Sequence, residues 1–107
     1  MDSNNNYTVE LTDDCKKDIR NIYSYIRYNL EAEDAANKLI EKVEHVIVNL
    51  AYFPKIYAKI NKYENTRRIY RRIVIENYIV LFSLDELYKK VYVSHVYYKG
   101  RDYLDKI

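Results

Sequence analysis

The N-terminal part of the chain changes from a strand pattern to a helix pattern at a single residue. Tyr7, Val9 and Leu11 alternate with polar residues, which is the period-2 pattern of a half-buried β-strand. Thr12 comes next, and the acidic pair at 13–14 would meet the positive end of a helix dipole, so we expect Thr12 to cap a helix. The sequence therefore predicts a short strand that leads directly into a helix.

Two apolar stripes at helical spacing follow Thr12. The first consists of Cys15, Ile19, Ile22, Ile26 and Leu30. The second consists of Ala36, Leu39, Val43, Ile47 or Val46, and Leu50, and Pro54 lies just beyond it. Each stripe marks the buried side of one helix, and the connector between them, around residues 29–31, is short. This pattern predicts an antiparallel helical hairpin.

The second half of the chain is rich in β-branched and aromatic residues, which favour strands. The runs 69–75 and 78–84 are separated only by Glu76 and Asn77, the length of a two-residue hairpin turn in which Asn77 would tolerate a positive φ. A further run spans residues 90–98. The sequence therefore predicts a β-hairpin followed by another strand.

The predicted hairpin turn determines which side chains share a face of the sheet. If Ile75 opposes Tyr78, strand pairing separates the side chains into two groups. The first contains Tyr70, Arg72, Val74, Ile79, Leu81 and Ser83, and the second contains Ile69, Ile73, Val80 and Phe82. Since the second group is entirely apolar, we expect the helices to cover it and to leave the face with Tyr70 and Arg72 uncovered.

Together these elements predict a single α+β domain over residues 1–107. It has an N-terminal β-strand, an antiparallel helical hairpin packed on a small, mainly antiparallel sheet, and a short C-terminal helix after Gly100. Residues 1–6 are predicted to be disordered. At 107 residues and 49% hydrophobic content, the chain can bury the core of one such domain.

Charge is distributed unevenly along this domain. Residues 1–54 contain 6 Lys and Arg against 10 Asp and Glu, whereas residues 55–107 contain 12 against 6, which gives −4 and +6. The segment 61–66 has loop composition and is predicted to be a basic connector. On the uncovered face, Arg68, Tyr70 and Arg72 would suit phosphates and unstacked bases, or an acidic protein segment. A merely solvated surface is the alternative interpretation.

A second cluster, formed by Tyr97, Tyr98, Lys99 and Arg101, lies at the end of the last predicted strand. In a small sheet this cluster would lie close to Arg68, Tyr70 and Arg72. Tyr98 is then expected on the uncovered face, and His95 beneath the helices or at their margin. The predicted binding surface combines both clusters. It consists of Arg68, Tyr70, Arg72, Tyr98, Lys99 and Arg101, with Tyr97 beside them.

The other ionisable residues favour structural roles. His95 is expected to be a structural rather than a catalytic histidine, Cys15 a small buried hydrophobic residue, and Asp102 a cap or a partner of Arg101. With one Gly, and no Cys and His at metal-ligand spacing, the chain offers no glycine-rich phosphate loop and no metal or cofactor site. Since it has a single Cys, no signal pattern and no long apolar run, we expect a cytoplasmic protein that does not enter a membrane.

The order of these elements, and several segments, resemble the RelE/ParE superfamily of toxins from type II toxin–antitoxin systems. The segments are DIRNIYSYI in the first helix, AANKLIEKVEHVIVNLAYFP through the second, YRRIVIENYIVLFSLDE across the hairpin, and VYVSHVYYKGRDYL at the end. The resemblance extends from Tyr7 to Leu104. It implies a toxin that inhibits growth and is neutralised by a cognate antitoxin protein, with a homodimer or a toxin–antitoxin hetero-oligomer as the assembly.

The resemblance implies different mechanisms for the two branches of the superfamily. RelE-like members are ribosome-dependent endoribonucleases that cut mRNA in the ribosomal A site, and ParE-like members inhibit DNA gyrase. A metal-independent nuclease of this kind would use Arg72, Tyr98 and Arg101 as catalytic residues here. However, Tyr70 occupies one of the two basic positions of that branch, and Ile79 stands where an arginine is expected.

The helical part is more similar to the ParE branch, whose long hairpin ends in a Phe-Pro pair, as at Phe53 and Pro54. Ile79 removes a charge that a nuclease needs more than a binding surface does. Gyrase inhibition is therefore the favoured interpretation. Ribosome-dependent mRNA cleavage is the first alternative, and a non-toxic protein-binding module is the second.

Overall fold

Helices and strands follow the predicted order, with one additional short strand. The computed structural model describes residues 6–60 and 68–100. The elements are β1 (Thr8–Leu11), α1 (Asp13–Ser24), α2 (Glu33–Asn49), β2 (Lys59–Ile60), β3 (Tyr70–Ile75), β4 (Tyr78–Asp85) and β5 (Lys90–Tyr98). The predicted C-terminal helix, the connector 61–66 and residues 1–5 of the N-terminus lie outside the described residues.

Thr12 caps α1 as predicted and also ties the helix to β5. Its side-chain oxygen accepts a hydrogen bond from the Cys15 N–H at 3.1 Å, and its hydroxyl donates to the Ser94 carbonyl at 2.9 Å. The Thr12 N–H donates to the Val93 carbonyl at 3.0 Å. The start of α1 is therefore fixed both by a local cap and by a long-range strand contact.

The end of the first helix differs from the prediction. A π-helical turn, Tyr25–Asn29, follows α1, and Leu30 is exposed instead of completing the apolar stripe. A π-helical turn inserts one residue into the helical repeat, which rotates the following side chains away from their expected side. Leu30 is thereby turned toward solvent at the end of the helical hairpin.

Five strands form one mixed sheet in the order β1-β5-β4-β3-β2. β1 runs parallel to β5, and the other pairs are antiparallel. Two details of the hairpin region correct the prediction. Glu76, with φ of 53°, takes the positive φ expected of Asn77, and β2 pairs with β3 at the edge of what was predicted as connector.

The register between β3 and β4 confirms the prediction residue for residue, with Arg72 opposite Leu81 and Ile75 opposite Tyr78. α1 and α2 pack on one face of this sheet. The buried core there includes Cys15, Ile26, Ala36, Leu39, Val43, Leu50, Ile73, Ile75, Val80, Phe82, Val91, Val93 and Val96. Removing this apolar surface from water is the main force that holds the hairpin on the sheet.

Candidate functional site

The basic residues of β3 lie together on the face of the sheet opposite the helices. Tyr70 pairs with Ser83 and Arg72 pairs with Leu81, so their side chains share that face. Arg68 joins them, because its guanidinium carbon lies 5.0 Å from the ring centroid of Tyr92, which also pairs with Ser83. The predicted grouping of Arg68, Tyr70 and Arg72 is thus present.

This face is less open than predicted. Ile79 is 4% exposed, and Leu81, Ser83 and Tyr97 are also buried on the same side of the sheet. Arg68 and Arg72 are exposed above this buried layer. α1 and α2 lie on the other face of the sheet, as expected, but this face is not an open sheet surface, because its cationic side chains lie above a buried layer.

Tyr98 lies on the helix side of the sheet, away from Arg72, contrary to the prediction. The cause is a β-bulge in β5, where Leu81 pairs with His95 and Phe82 pairs with Val93, which leaves Ser94 without an opposite residue. One extra residue reverses the alternation of every side chain that follows it. If β5 were regular, with Ser94 opposite Leu81, Tyr98 would share the face of Arg72.

The same bulge moves His95 to the face opposite the helices, at the edge of the sheet next to α1. Its Nδ1 lies 3.0 Å from Oδ2 of Asp18, and the same carboxylate oxygen accepts a hydrogen bond from the Val96 N–H at 3.1 Å. The His95 ring stacks on Tyr97, with centroids 5.0 Å apart. His95 is therefore a partnered histidine at the margin of the helices, which agrees with a structural role.

Beyond the end of β1, the Asp18 carboxylate accepts a backbone hydrogen bond that a neighbouring strand would otherwise accept. β1 pairs with β5 only as far as Val93, so the following N–H groups of β5 face α1 instead of another strand. The Asp18 carboxylate accepts a hydrogen bond from one of these groups, the Val96 N–H. The role of Asp18 was not predictable from the sequence, because nothing local to α1 signals a partner 78 residues away.

The remaining predicted site residues are dispersed. Lys99 is exposed just after β5, and its N–H donates to the Asn77 carbonyl at 2.6 Å. Arg71, which was not predicted to belong to the site, donates from its guanidinium to the Tyr57 carbonyl at 2.7 Å and so supports the sheet edge at β2. Arg101 and Asp102 lie outside the described residues.

Tyr98 instead lines a groove at the end of the helical hairpin, which we call the hairpin groove. Its lining residues are Asn21, Ile22, Tyr25, Leu30, Tyr78 and Tyr98, and its volume is about 660 Å³. Tyr25 is 54% exposed and Tyr98 is 56% exposed. Burial raises the pKa of Tyr78, and the neighbouring Tyr98, Glu76 and Tyr25 raise it further. The hairpin groove was not predictable from the sequence, because its tyrosines come from separate elements.

Two ionisable groups elsewhere have strongly shifted pKa values. Burial raises the pKa of the Cys15 thiol to about 12, with a further contribution from Asp18, so the thiol stays protonated at neutral pH and Cys15 acts as a buried hydrophobic residue. The pKa of Glu86 falls to about 2, mainly through hydrogen bonds from Lys55 and Tyr7. Neither group lies in the hairpin groove.

Within residues 6–60 and 68–100, no group of three or more His, Cys, Asp or Glu side chains is placed to hold a metal ion. No helix in this part of the chain has the length and apolar character needed to cross a bilayer.

Comparison with known proteins identifies related sequences and folds. A protein-family model described as the ParE toxin of the type II toxin–antitoxin system, parDE, matches residues 9–103. A search among curated proteins finds no significant match.

Similar solved structures include the chromosomal ParDE toxin–antitoxin system from P. aeruginosa, with a TM-score of 0.68 and 14% identity over 86% of this chain and 95% of that chain. The archaeal RelE–RelB complex from Pyrococcus horikoshii OT3 gives a TM-score of 0.57 and 16% identity over 90% and 98% of the two chains. The RelBE2 toxin–antitoxin complex from Mycobacterium tuberculosis gives 0.50 and 18% over 87% and 98%.

At such identities the structural likeness concerns the fold. The family match rests on the sequence and includes both helices and all five strands apart from the first residue of β1. The chain belongs to the ParE toxin family of type II toxin–antitoxin systems.

Proposed function

We propose that the protein is a growth-inhibiting toxin that acts in the cytoplasm by binding DNA gyrase, and that a cognate antitoxin neutralises it. The observation that carries the choice of target is the separation of Arg72 from Tyr98 by the sheet. These residues are the two described members of the trio that an RNA-cleaving relative would use, and their side chains leave opposite faces.

A site that cleaves RNA must place its catalytic groups around one phosphate. A base must reach the 2′-hydroxyl, and a cation must lie against the developing negative charge, both at hydrogen-bond distance. Side chains on opposite faces of a sheet point away from each other. Arg72 and Tyr98 therefore do not meet these requirements together.

Ile79 supports the same conclusion. It stands where the nuclease branch is expected to have an arginine, and it is 4% exposed. An aliphatic side chain in that place supplies no charge stabilisation, and its burial keeps it from contact with a substrate. A toxin that works by binding a protein does not need this residue to be charged.

The antitoxin is proposed from the family and from the charge distribution. The solved structures with similar folds are described as a toxin–antitoxin system and toxin–antitoxin complexes. Residues 55–107 carry a charge of +6, and Arg68 and Arg72 are exposed on the face opposite the helices. Electrostatic attraction to this face would raise the association rate of an acidic antitoxin segment, and added salt would lower that rate.

Induced expression tests toxicity first. We expect growth arrest that co-expression of the adjacent gene relieves. Normal growth at a verified level of soluble protein would contradict the proposal and favour a non-toxic binding module.

Purified protein then tests the target. We expect it to inhibit supercoiling by DNA gyrase at micromolar concentration and to leave ribosome-bound mRNA intact in a primer-extension assay. The converse result, cleaved mRNA with unaffected supercoiling, would identify the nuclease activity. In that case Arg72→Ala and Tyr98→Ala should each abolish cleavage.

A further inference from the structure

The hairpin groove combines aromatic rings from three separate parts of the chain. Tyr25 comes from the π-helical turn after α1, Tyr78 begins β4, and Tyr98 ends β5. The rings of Tyr78 and Tyr98 have centroids 5.7 Å apart, and their planes meet at 79°. They form two nearly perpendicular walls, and Tyr25 lines the groove as a third ring.

Such an arrangement suits a cation. The face of an aromatic ring carries partial negative charge and attracts a cation within about 6 Å of its centroid. Perpendicular rings can contact one cation from two directions. The six residues that line the groove, all in the described part of the chain, include no Lys or Arg that would occupy this position.

Other tyrosines of this protein already bind guanidinium groups. The guanidinium carbon of Arg27 lies 5.1 Å from the ring centroid of Tyr28, close to the groove along the same π-helical turn. The corresponding distance from Arg68 to Tyr92 is 5.0 Å. An arginine brought by another molecule would find the same type of contact, with a second ring at right angles.

The electrostatic surroundings favour a positive ligand over a negative one. Burial contributes most to the raised pKa of Tyr78, followed by Tyr98, Glu76 and Tyr25; of these neighbours only the Glu76 carboxylate is charged at neutral pH, and it attracts a cation and repels an anion. A phosphate group is therefore disfavoured. The tyrosine hydroxyls and the side-chain oxygen of Asn21 can accept hydrogen bonds from a cationic ligand.

We propose that the hairpin groove binds an arginine side chain of the toxin's protein target. This inference rests on the proposed function and names the contact through which the target is held. Arginine fits better than lysine, because its planar guanidinium stacks on aromatic rings, is weakly hydrated and offers five N–H donors. The groove of about 660 Å³ has room for the aliphatic stem as well.

The antitoxin is proposed to cover the opposite face of the sheet, where Arg68 and Arg72 are exposed. The hairpin groove opens on the helix side and would be used by the target. Substitutions in the groove should therefore separate target binding from antitoxin binding.

Tyr98 allows a sharp test because it is 56% exposed, so its replacement should not affect folding. Tyr98→Leu removes the ring and should raise the toxin concentration for half-inhibition of gyrase supercoiling by roughly 3- to 30-fold. Tyr98→Phe keeps the ring face and should stay within about twofold of the wild type. Tyr88→Leu, at an exposed tyrosine in the turn between β4 and β5, is the matched control. Affinity for the antitoxin should be unchanged in all three variants.

A titration without gyrase tests the ligand directly. Wild-type toxin labelled on its tyrosine rings is titrated with N-acetyl-argininamide, N-acetyl-lysinamide and N-acetyl-norleucinamide and followed by NMR. We expect the ring signals of Tyr25, Tyr78 and Tyr98 to shift most with the arginine probe, less with lysine, and least with neutral norleucine.

The outcomes distinguish the two proposals. If the wild type inhibits gyrase and Tyr98→Leu inhibits equally well, the groove does not contact the target, although gyrase inhibition stands. If Tyr98→Phe loses as much as Tyr98→Leu, or if norleucinamide shifts the rings as much as argininamide, recognition of a guanidinium is overturned. If the wild type leaves supercoiling unaffected, the proposed function fails, and the titration alone decides whether the groove binds arginine.

Discussion

The two faces of the sheet are formed by the same strands, but they differ in composition and in what they expose. On the helix side, Ile73, Val80 and Phe82 join a continuous apolar core with α1 and α2. On the other side, Leu81 is buried among polar and aromatic neighbours, and Arg72 is exposed above it. The difference indicates that the helix side supplies stability, and that the opposite side displays charge on a small apolar base.

Inserting one alanine between His95 and Val96 should have the largest effect, because one added residue reverses the face of each later side chain of β5. It would turn Val96 out of the core and move Tyr97 beneath the helices. We expect a loss of at least about 4 kcal/mol in the free energy of unfolding, measured by urea denaturation. Deleting Ser94 removes the unpaired residue, leaves the later side chains on their present faces, and should cost far less. An insertion tolerated as well as this deletion would contradict the role assigned to the bulge.

Truncation of a helix-side residue should come next. Phe82 is fully buried, so Phe82→Ala leaves a cavity and should lower the free energy of unfolding by about 3–5 kcal/mol. Val74→Ala, on the opposite face at a half-exposed position in β3, is the control and should cost less than about 1 kcal/mol. Similar losses in both variants would show that the two faces contribute equally to stability.

At the sheet edge, the Asp18 carboxylate of α1 contacts β5 through the Val96 N–H and the His95 ring. Asp18→Ala removes the acceptor for the Val96 N–H and the partner of His95, and we expect a loss of about 1–3 kcal/mol in thermal or urea denaturation. Glu44→Ala removes an exposed carboxylate from α2 and serves as the control. If the two variants are equally stable, Asp18 does not replace an edge strand.

The smallest effect concerns Glu86, which lies in the turn between β4 and β5 and bonds to Lys55, Tyr7 and Lys89. Its folded pKa of about 2 is below its ordinary value of 4.5. Its contribution is therefore fully present above pH 4.5 and is lost as the pH falls toward 2. We expect the Tm of the wild type to exceed that of Glu86→Gln slightly at neutral pH, because the site is exposed, and the difference to disappear near pH 2. A constant difference across this range would contradict the assignment.

The parts of the fold that depend on local chemistry were predictable from the sequence. Thr12 caps α1 because its hydroxyl and the residues it serves are adjacent in the chain. The register between β3 and β4 follows from a two-residue turn, since Ile75 and Tyr78 have almost no other way to pair. Strict alternation then placed Arg72 and Tyr70 correctly.

The parts that depend on distant contacts were not predictable in this way. The bulge at Ser94 has no glycine or other local marker; it reversed the expected face of Tyr98 and placed His95 at the margin of the helices and not beneath them. The π-helical turn likewise reversed the expectation for Leu30. Asp18, Tyr25 and Tyr78 acquire their roles only when α1, β4 and β5 are assembled. Periodicity predicts which face a side chain occupies only where no bulge or π-helical turn interrupts the strand or helix.

The parallel pairing of β1 with β5 has a consequence for synthesis of the protein. Thr8–Leu11 finds its hydrogen-bonding partners in Lys90–Val93, near the far end of the chain. A nascent chain emerging from the ribosome therefore cannot complete its sheet until β5 has been translated. Products that end before β5 would lack the native sheet, so we expect the proposed growth inhibition to require translation through β5.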